Sequence, residues 1–61
     1  MNNTEKAIIY DECLRESDNL QRINSKIKSD FAGNIPQHLQ EEIYKNEARI
    51  ALLVKRLESL F

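Results

Sequence analysis

The segment SDFAGNIPQHLQEE, residues 29–42, contains the one glycine and the one proline of this 61-residue chain. Glycine ends helices readily because it can adopt left-handed backbone angles, and proline suits the first turn of a helix, where its missing N–H would have no partner. The segment therefore predicts the end of one helix followed by the start of another. We expect a turn at about residues 32–34, with Gly33 left-handed and Asn34 as the N-cap of a helix that has Pro36 in its first turn.

Both flanks of this turn show the apolar spacing of amphipathic helices. On the N-terminal side, apolar residues recur every three, four or seven positions: Ile9, Cys13, Leu20, Ile23, Ile27 and Phe31. On the C-terminal side the apolar residues follow a heptad repeat: Leu39, Ile43, Ile50, Leu53, Leu57 and Leu60. Val54 and Phe61 broaden this apolar face on one side. Asn2 and Glu5 have the spacing of an N-terminal cap. We predict helix 1 over about residues 3–31 and helix 2 over about residues 35–61.

Two such helices joined by so short a turn must fold back on each other. The predicted fold is all-α: a single antiparallel two-helix hairpin with coiled-coil-like packing. Symmetric pairing about Gly33 places Ile23 opposite Ile43. Asn46 then either lies in the seam, where a polar residue fixes register or partner number at a cost in stability, or occupies a solvated edge.

Composition excludes several kinds of protein. The net charge of −1 gives no basic field that would attract nucleic acid or an acidic membrane surface. The single Cys13 forms no internal disulfide, and together with His38 it cannot supply the four ligands of a zinc site. The first residues lack the charged start and apolar core of a secretory signal, so none is expected, and no apolar run approaches the roughly 20 residues that a membrane span needs. We expect a cytoplasmic chain with no cofactor, metal or membrane partner.

The sequence contains no constellation typical of catalysis. His38 has no acidic or thiol neighbour in a ligand-like pattern, and the adjacent Glu41 and Glu42 point about 100° apart on a helix. Cys13 lies on the apolar stripe of helix 1, where it packs as a small hydrophobic residue. We therefore predict that the protein is not an enzyme.

A row of basic residues on the rear of helix 1 raises the question of RNA binding. The row consists of Arg15, Arg22 and Lys26. Asp11 and Asp18 precede the two arginines by four positions, the spacing of ion pairs within a helix. These pairs neutralise most of the row. A nucleic-acid partner is therefore not expected.

Several apolar residues fall outside the predicted seam. Leu52 points about 200° away from Ile50, so an isolated hairpin leaves it in water. A small hairpin with such exposed apolar side chains is expected to bury them in a second contact, either by self-association into a larger helical bundle or by docking on a helical partner. The candidate partner-binding residues are Leu52, Tyr44, Ala48, Ala51, Tyr10, Leu14 and Ile8.

The runs KIKSDFAGNIPQHLQEE and ARIALLVKRL resemble the small co-chaperones of type III secretion needle subunits, which are short helical hairpins. The resemblance covers about residues 23–57, although the segment Gln37–Gln40 lacks the aromatic residue of that family's Gln-aromatic-Gln pattern. It implies a role in virulence in the bacterial cytosol. There the hairpin would stabilise a tetratricopeptide-like chaperone, and the pair would keep the needle subunit from polymerising.

Two other functions agree with the same pattern. One is a homodimeric regulator, RNA-binding or otherwise, in which two hairpins form a four-helix bundle. The other is a phage or structural oligomerisation protein. In each case the chain on its own is expected to be a dimer or larger, or else only marginally stable.

Overall fold

The computed structural model describes residues 2–60 and consists of two α-helices, α1 (Asn3–Asp30) and α2 (Gln37–Ser59), that fold back on each other. The molecule measures 47 × 15 × 13 Å. The predicted all-α antiparallel hairpin is therefore confirmed. Phe61, where helix 2 was predicted to end, lies outside the described residues.

The start of α1 is capped as its sequence predicts. The side-chain Oδ1 of Asn2 accepts a hydrogen bond from the backbone N–H of Glu5 at 2.8 Å. This bond satisfies one of the N–H groups that the first turn of a helix leaves without a partner.

The turn between the helices depends on Gly33. The N–H of Phe31 still bonds to the carbonyl of Ile27, and the N–H of Asn34 then bonds to the carbonyl of Phe31 at 3.0 Å. Gly33 is the third residue of the four-residue turn that this second bond closes, and its φ is 88°. A positive φ at the third position is the requirement of a type II turn. The predicted left-handed Gly33 is confirmed.

The start of α2 differs from the prediction. Asn34 uses its N–H to close the turn, and the N-cap is Pro36, whose ψ of 147° keeps it outside the helix. The carbonyl of Pro36 accepts from the N–H groups of Leu39 and Gln40, both at 3.0 Å. The prediction of Asn34 as N-cap was therefore wrong, and α2 begins at Gln37, about two residues late.

The seam between the helices is narrow and partly polar. Its buried residues are Cys13, Ile43, Leu53 and Leu60, together with the polar Ser17, Asn24 and Asn46. No side chain described is less than 2% exposed. Each helix contacts the other through one face only, so a hairpin of this size buries little apolar area.

The register of the two helices also differs from the prediction. Asn24 lies in the seam and donates a hydrogen bond to the carbonyl of Ile43, whereas Ile23, expected opposite Ile43, is 39% exposed. Asn24 also bonds to Asn46, so Asn24 and not Ile23 is the residue of α1 that faces this part of α2. Asn46 is confirmed as a seam residue.

Candidate protein-binding site

Two ion pairs between the helices mark the two edges of the seam. Arg49 binds Glu16 through Nε at 2.7 Å and through Nη2 at 3.3 Å, and Lys28 Nζ lies 3.6 Å from Glu47 Oε1. Glu47 and Arg49 are two positions apart, so they point about 200° apart around α2. Since both reach α1, they lie on opposite edges of the hairpin.

The edge marked by Glu16 and Arg49 contains a groove, and we call it the groove edge. The groove has a volume of about 590 Å³. Its apolar lining includes the buried Cys13 and Leu53 and the 60% exposed Leu52. Leu52 is therefore confirmed as a solvent-exposed leucine, and it lies beside a concave apolar surface.

The charges of the groove edge are separated by helix. Glu12 and Glu16 line it from α1, whereas Arg49, Lys55 and Arg56 line it from α2. The groove thus has an acidic wall and a basic wall on either side of an apolar floor.

The Glu16–Arg49 pair changes the pKa of both groups. The hydrogen bonds from Arg49 lower the pKa of Glu16, desolvation acts in the opposite direction, and the positive charge of Arg49 adds to the lowering. The same hydrogen bonds raise the pKa of Arg49. Both side chains remain about half exposed, so solvent weakens the interaction.

The opposite edge, marked by Lys28 and Glu47, contains several exposed apolar side chains, and we call it the tyrosine edge. Leu14 precedes Lys28 by two heptads and Val54 follows Glu47 by one, so helical periodicity places both on this edge. Its members are Tyr10, Leu14 and Lys28 of α1, and Tyr44, Glu47, Ala51 and Val54 of α2.

The apolar side chains of the tyrosine edge are well exposed. The exposed fraction is 69% for Tyr44 and between 41% and 43% for Tyr10, Leu14 and Val54. Tyr44 also lines a smaller pocket of about 300 Å³, together with Ile35 and Ile43. Val54 was expected to widen the seam, but it belongs to this exposed surface.

The seven predicted partner-binding residues do not form one surface. Tyr10, Leu14, Tyr44 and Ala51 share the tyrosine edge, and Leu52 lies on the groove edge. Ile8 and Ala48 are exposed on the outer faces of α1 and α2. The sequence does contain a signal for this division. In a heptad, the residues that flank the seam on one side face one edge of the hairpin, and those that flank it on the other side face the opposite edge.

The two arginines of the basic row on the rear of α1 are paired as predicted, whereas Lys26 belongs to none of the four ion pairs of residues 2–60. Arg15 lies 3.1 Å from Asp11, and Arg22 lies 3.1 Å from Asp18. All four side chains are exposed, so these pairs contribute little to stability but reduce the positive potential of this face.

Within residues 2–60, no three His, Cys, Asp or Glu side chains are grouped so that they would hold a metal ion. Neither helix, over the same residues, has the length and apolar character to cross a membrane.

Comparisons with protein-family models, with curated protein sequences and with solved structures find no match to this chain. Its function is therefore inferred from its own surfaces.

Proposed function

We propose that this hairpin is a protein-binding module whose tyrosine edge docks on a helical partner. The observation that carries the proposal is the exposure of Tyr10, Leu14, Tyr44 and Val54 along one edge of a molecule with a very small core. Burying such a strip against another protein supplies apolar area that the two helices cannot supply to each other.

The charges on the tyrosine edge favour an apolar contact with another protein. Lys28 and Glu47 are already bound to each other across the seam. The nearby Asp11 and Asp18 are paired with arginines of their own helix. The middle of the edge therefore offers apolar and aromatic side chains to a partner, with few charges to desolvate.

The partner that we propose follows from the resemblance to the needle-subunit co-chaperones. The hairpin would stabilise a tetratricopeptide-like chaperone in the cytosol, and this pair would hold the needle subunit unpolymerised. Tetratricopeptide repeats are stacked helix pairs with an extended binding surface, which suits a straight edge 47 Å long.

Co-expression tests this proposal directly. A tagged hairpin is produced together with the tetratricopeptide-like chaperone and the needle subunit, and the complex is recovered by affinity purification. We expect the wild-type chain to recover both proteins. Val54→Glu should abolish recovery because it places a charge in the middle of the apolar strip, and Tyr44→Ala, nearer the turn, should weaken it less.

Leu52→Glu is the matched control, because it adds the same charge on the opposite edge. It should retain recovery of the chaperone, and circular dichroism should show that all three variants remain helical. Loss of recovery with Leu52→Glu but not with Val54→Glu would move the binding site to the groove edge. Failure of the wild-type hairpin to recover the chaperone would refute the co-chaperone function.

A further inference from the structure

We propose that a second copy of this chain docks on the groove edge, so that two hairpins form a four-helix bundle with a two-fold axis parallel to the helices. This interface is separate from the tyrosine edge. The inference therefore holds whichever protein binds the tyrosine edge. In this arrangement both turns lie at the same end of the bundle. Each α1 then packs beside the α2 of the other copy.

The location of the groove selects this orientation. Residues 9–16 of α1 and 49–59 of α2 form it, so it lies near the open end of the hairpin, away from Gly33. A two-fold axis along the helices places the two grooves face to face. The groove edges of the two copies then meet along their full length. An axis across the middle of the helices would instead place each groove against the turn end of the other copy.

The charges of the groove edge match in the same orientation. Glu12 and Arg56 both line the groove, on opposite helices, and they lie at about the same height, since Glu16 reaches Arg49 and Asn24 reaches Asn46. The two-fold axis therefore brings Glu12 of one copy beside Arg56 of the other. Within residues 2–60, neither side chain belongs to an ion pair.

A second charge match occurs nearer the turn, with the signs reversed. Lys26 follows Glu12 by two heptads, and Glu42 precedes Arg56 by two heptads, so both lie on the groove edge at matching heights. In the dimer, Lys26 of one copy faces Glu42 of the other. Complementary charges of alternating sign along both sides of an apolar strip specify partner and register.

The apolar content of the groove edge agrees with an interface between two copies. Leu52 is 60% exposed and Ile23 is 39% exposed, and both would be covered. The long face of the hairpin measures 47 by 15 Å, close to the roughly 800 Å² that each partner buries in a standard interface. The bundle also gives each helix two antiparallel neighbours in place of one.

Light scattering and analytical ultracentrifugation of the purified chain test the inference. We expect a dimer for the wild-type chain at a concentration of about 100 µM, at which a dissociation constant of about 1 µM leaves most of the chain associated. Leu52→Glu should weaken self-association by on the order of a hundredfold or more without loss of helicity, because both copies lose the leucine. Val54→Glu, on the tyrosine edge, should leave the dimer intact.

A mixing experiment tests the orientation. Glu12→Lys places a cation opposite Arg56 of the second copy, and Arg56→Glu places an anion opposite Glu12, so each variant alone should be largely monomeric. In an equimolar mixture both contacts of the mixed dimer join opposite charges, and dimers should reappear. Glu58→Lys, a charge reversal near the open end but away from the groove edge, is the control that should not affect association.

Three results would overturn the inference. The first is a wild-type chain that remains monomeric at this concentration. The second is a dimer that Val54→Glu dissociates and Leu52→Glu does not, because the copies would then meet at the tyrosine edge. The third is a mixture of the two charge variants that stays monomeric, since only the orientation with the axis parallel to the helices predicts its recovery. Chaperone recovery is measured in a separate experiment in which Val54→Glu and Leu52→Glu have the opposite expected effects, so the two proposals can fail separately.

Discussion

Asn46 donates a hydrogen bond from Nδ2 to Oδ1 of Asn24 at 2.9 Å, in the middle of the seam, where both side chains are about 95% buried. Nδ2 of Asn24 in turn donates to the carbonyl of Ile43 at 3.3 Å. The three groups form a chain of hydrogen bonds that crosses from one helix to the other. If one helix shifted along the other by one heptad, Asn24 would face Leu39 or Leu53. The side-chain amides of Asn24 and Asn46 would then be buried without the hydrogen bond between them.

Removing one member of this pair should destabilise the hairpin. Asn46→Ala leaves Oδ1 of Asn24 buried without its donor, which costs about 1–3 kcal/mol. Urea denaturation followed by circular dichroism measures the change. Ser29→Ala, on the exposed outer face of α1, should change stability by no more than about 0.5 kcal/mol. Equal midpoints for wild type and Asn46→Ala would show that the buried pair does not contribute to stability.

Apolar periodicity predicted the two helices and the seam of α2, because five of the six seam positions in that helix are aliphatic. It was right only in part for the seam of α1, where it selected the buried Cys13 but also Ile23 and Phe31, which are 39% and 40% exposed. Ser17 and Asn24 occupy two buried positions there, and a reading that follows apolar residues passes over them and selects Ile23. The signal that was available is the heptad spacing of Ser17 and Asn24, combined with a second asparagine at position 46.

The candidate site was predictable only in part. Helical geometry was sufficient to place Leu52 in solvent, because its direction depends only on its angle from the seam. The division of the apolar surplus into a groove edge and a tyrosine edge required the ion pairs that Glu47 and Arg49 form with α1. Those pairs depend on the register of the two helices, which apolar periodicity does not fix where polar residues occupy seam positions.

The turn offers a test that involves the backbone alone. A Cβ added to Gly33 would meet no atom within 4 Å, so a substitution there changes only the conformational energy of a residue with φ of 88°. Gly33→Val should cost about 1–2 kcal/mol while most of the helicity is retained. Ala32→Val is the matched control, because no residue of the described chain other than Gly33 has a positive φ. A denaturation midpoint that Gly33→Val leaves unchanged would contradict the type II turn.

The Glu16–Arg49 pair predicts a specific dependence of stability on pH. Because Arg49 lowers the pKa of Glu16 in the folded state, the unfolded chain binds more protons between the lowered value and the ordinary carboxyl value. The contribution of the pair is therefore fully present above the ordinary carboxyl pKa and is lost as the pH falls through the lowered one.

Glu16→Gln should reduce the free energy of unfolding at neutral pH, and the difference from wild type should disappear in acid. Urea midpoints across this range measure the difference, at protein concentrations low enough to exclude self-association. Glu41→Gln, an exposed glutamate outside the four ion pairs of residues 2–60, should leave the pH profile unchanged. Parallel profiles for wild type and Glu16→Gln at every pH would mean that the ion pair does not stabilise the groove edge in solution.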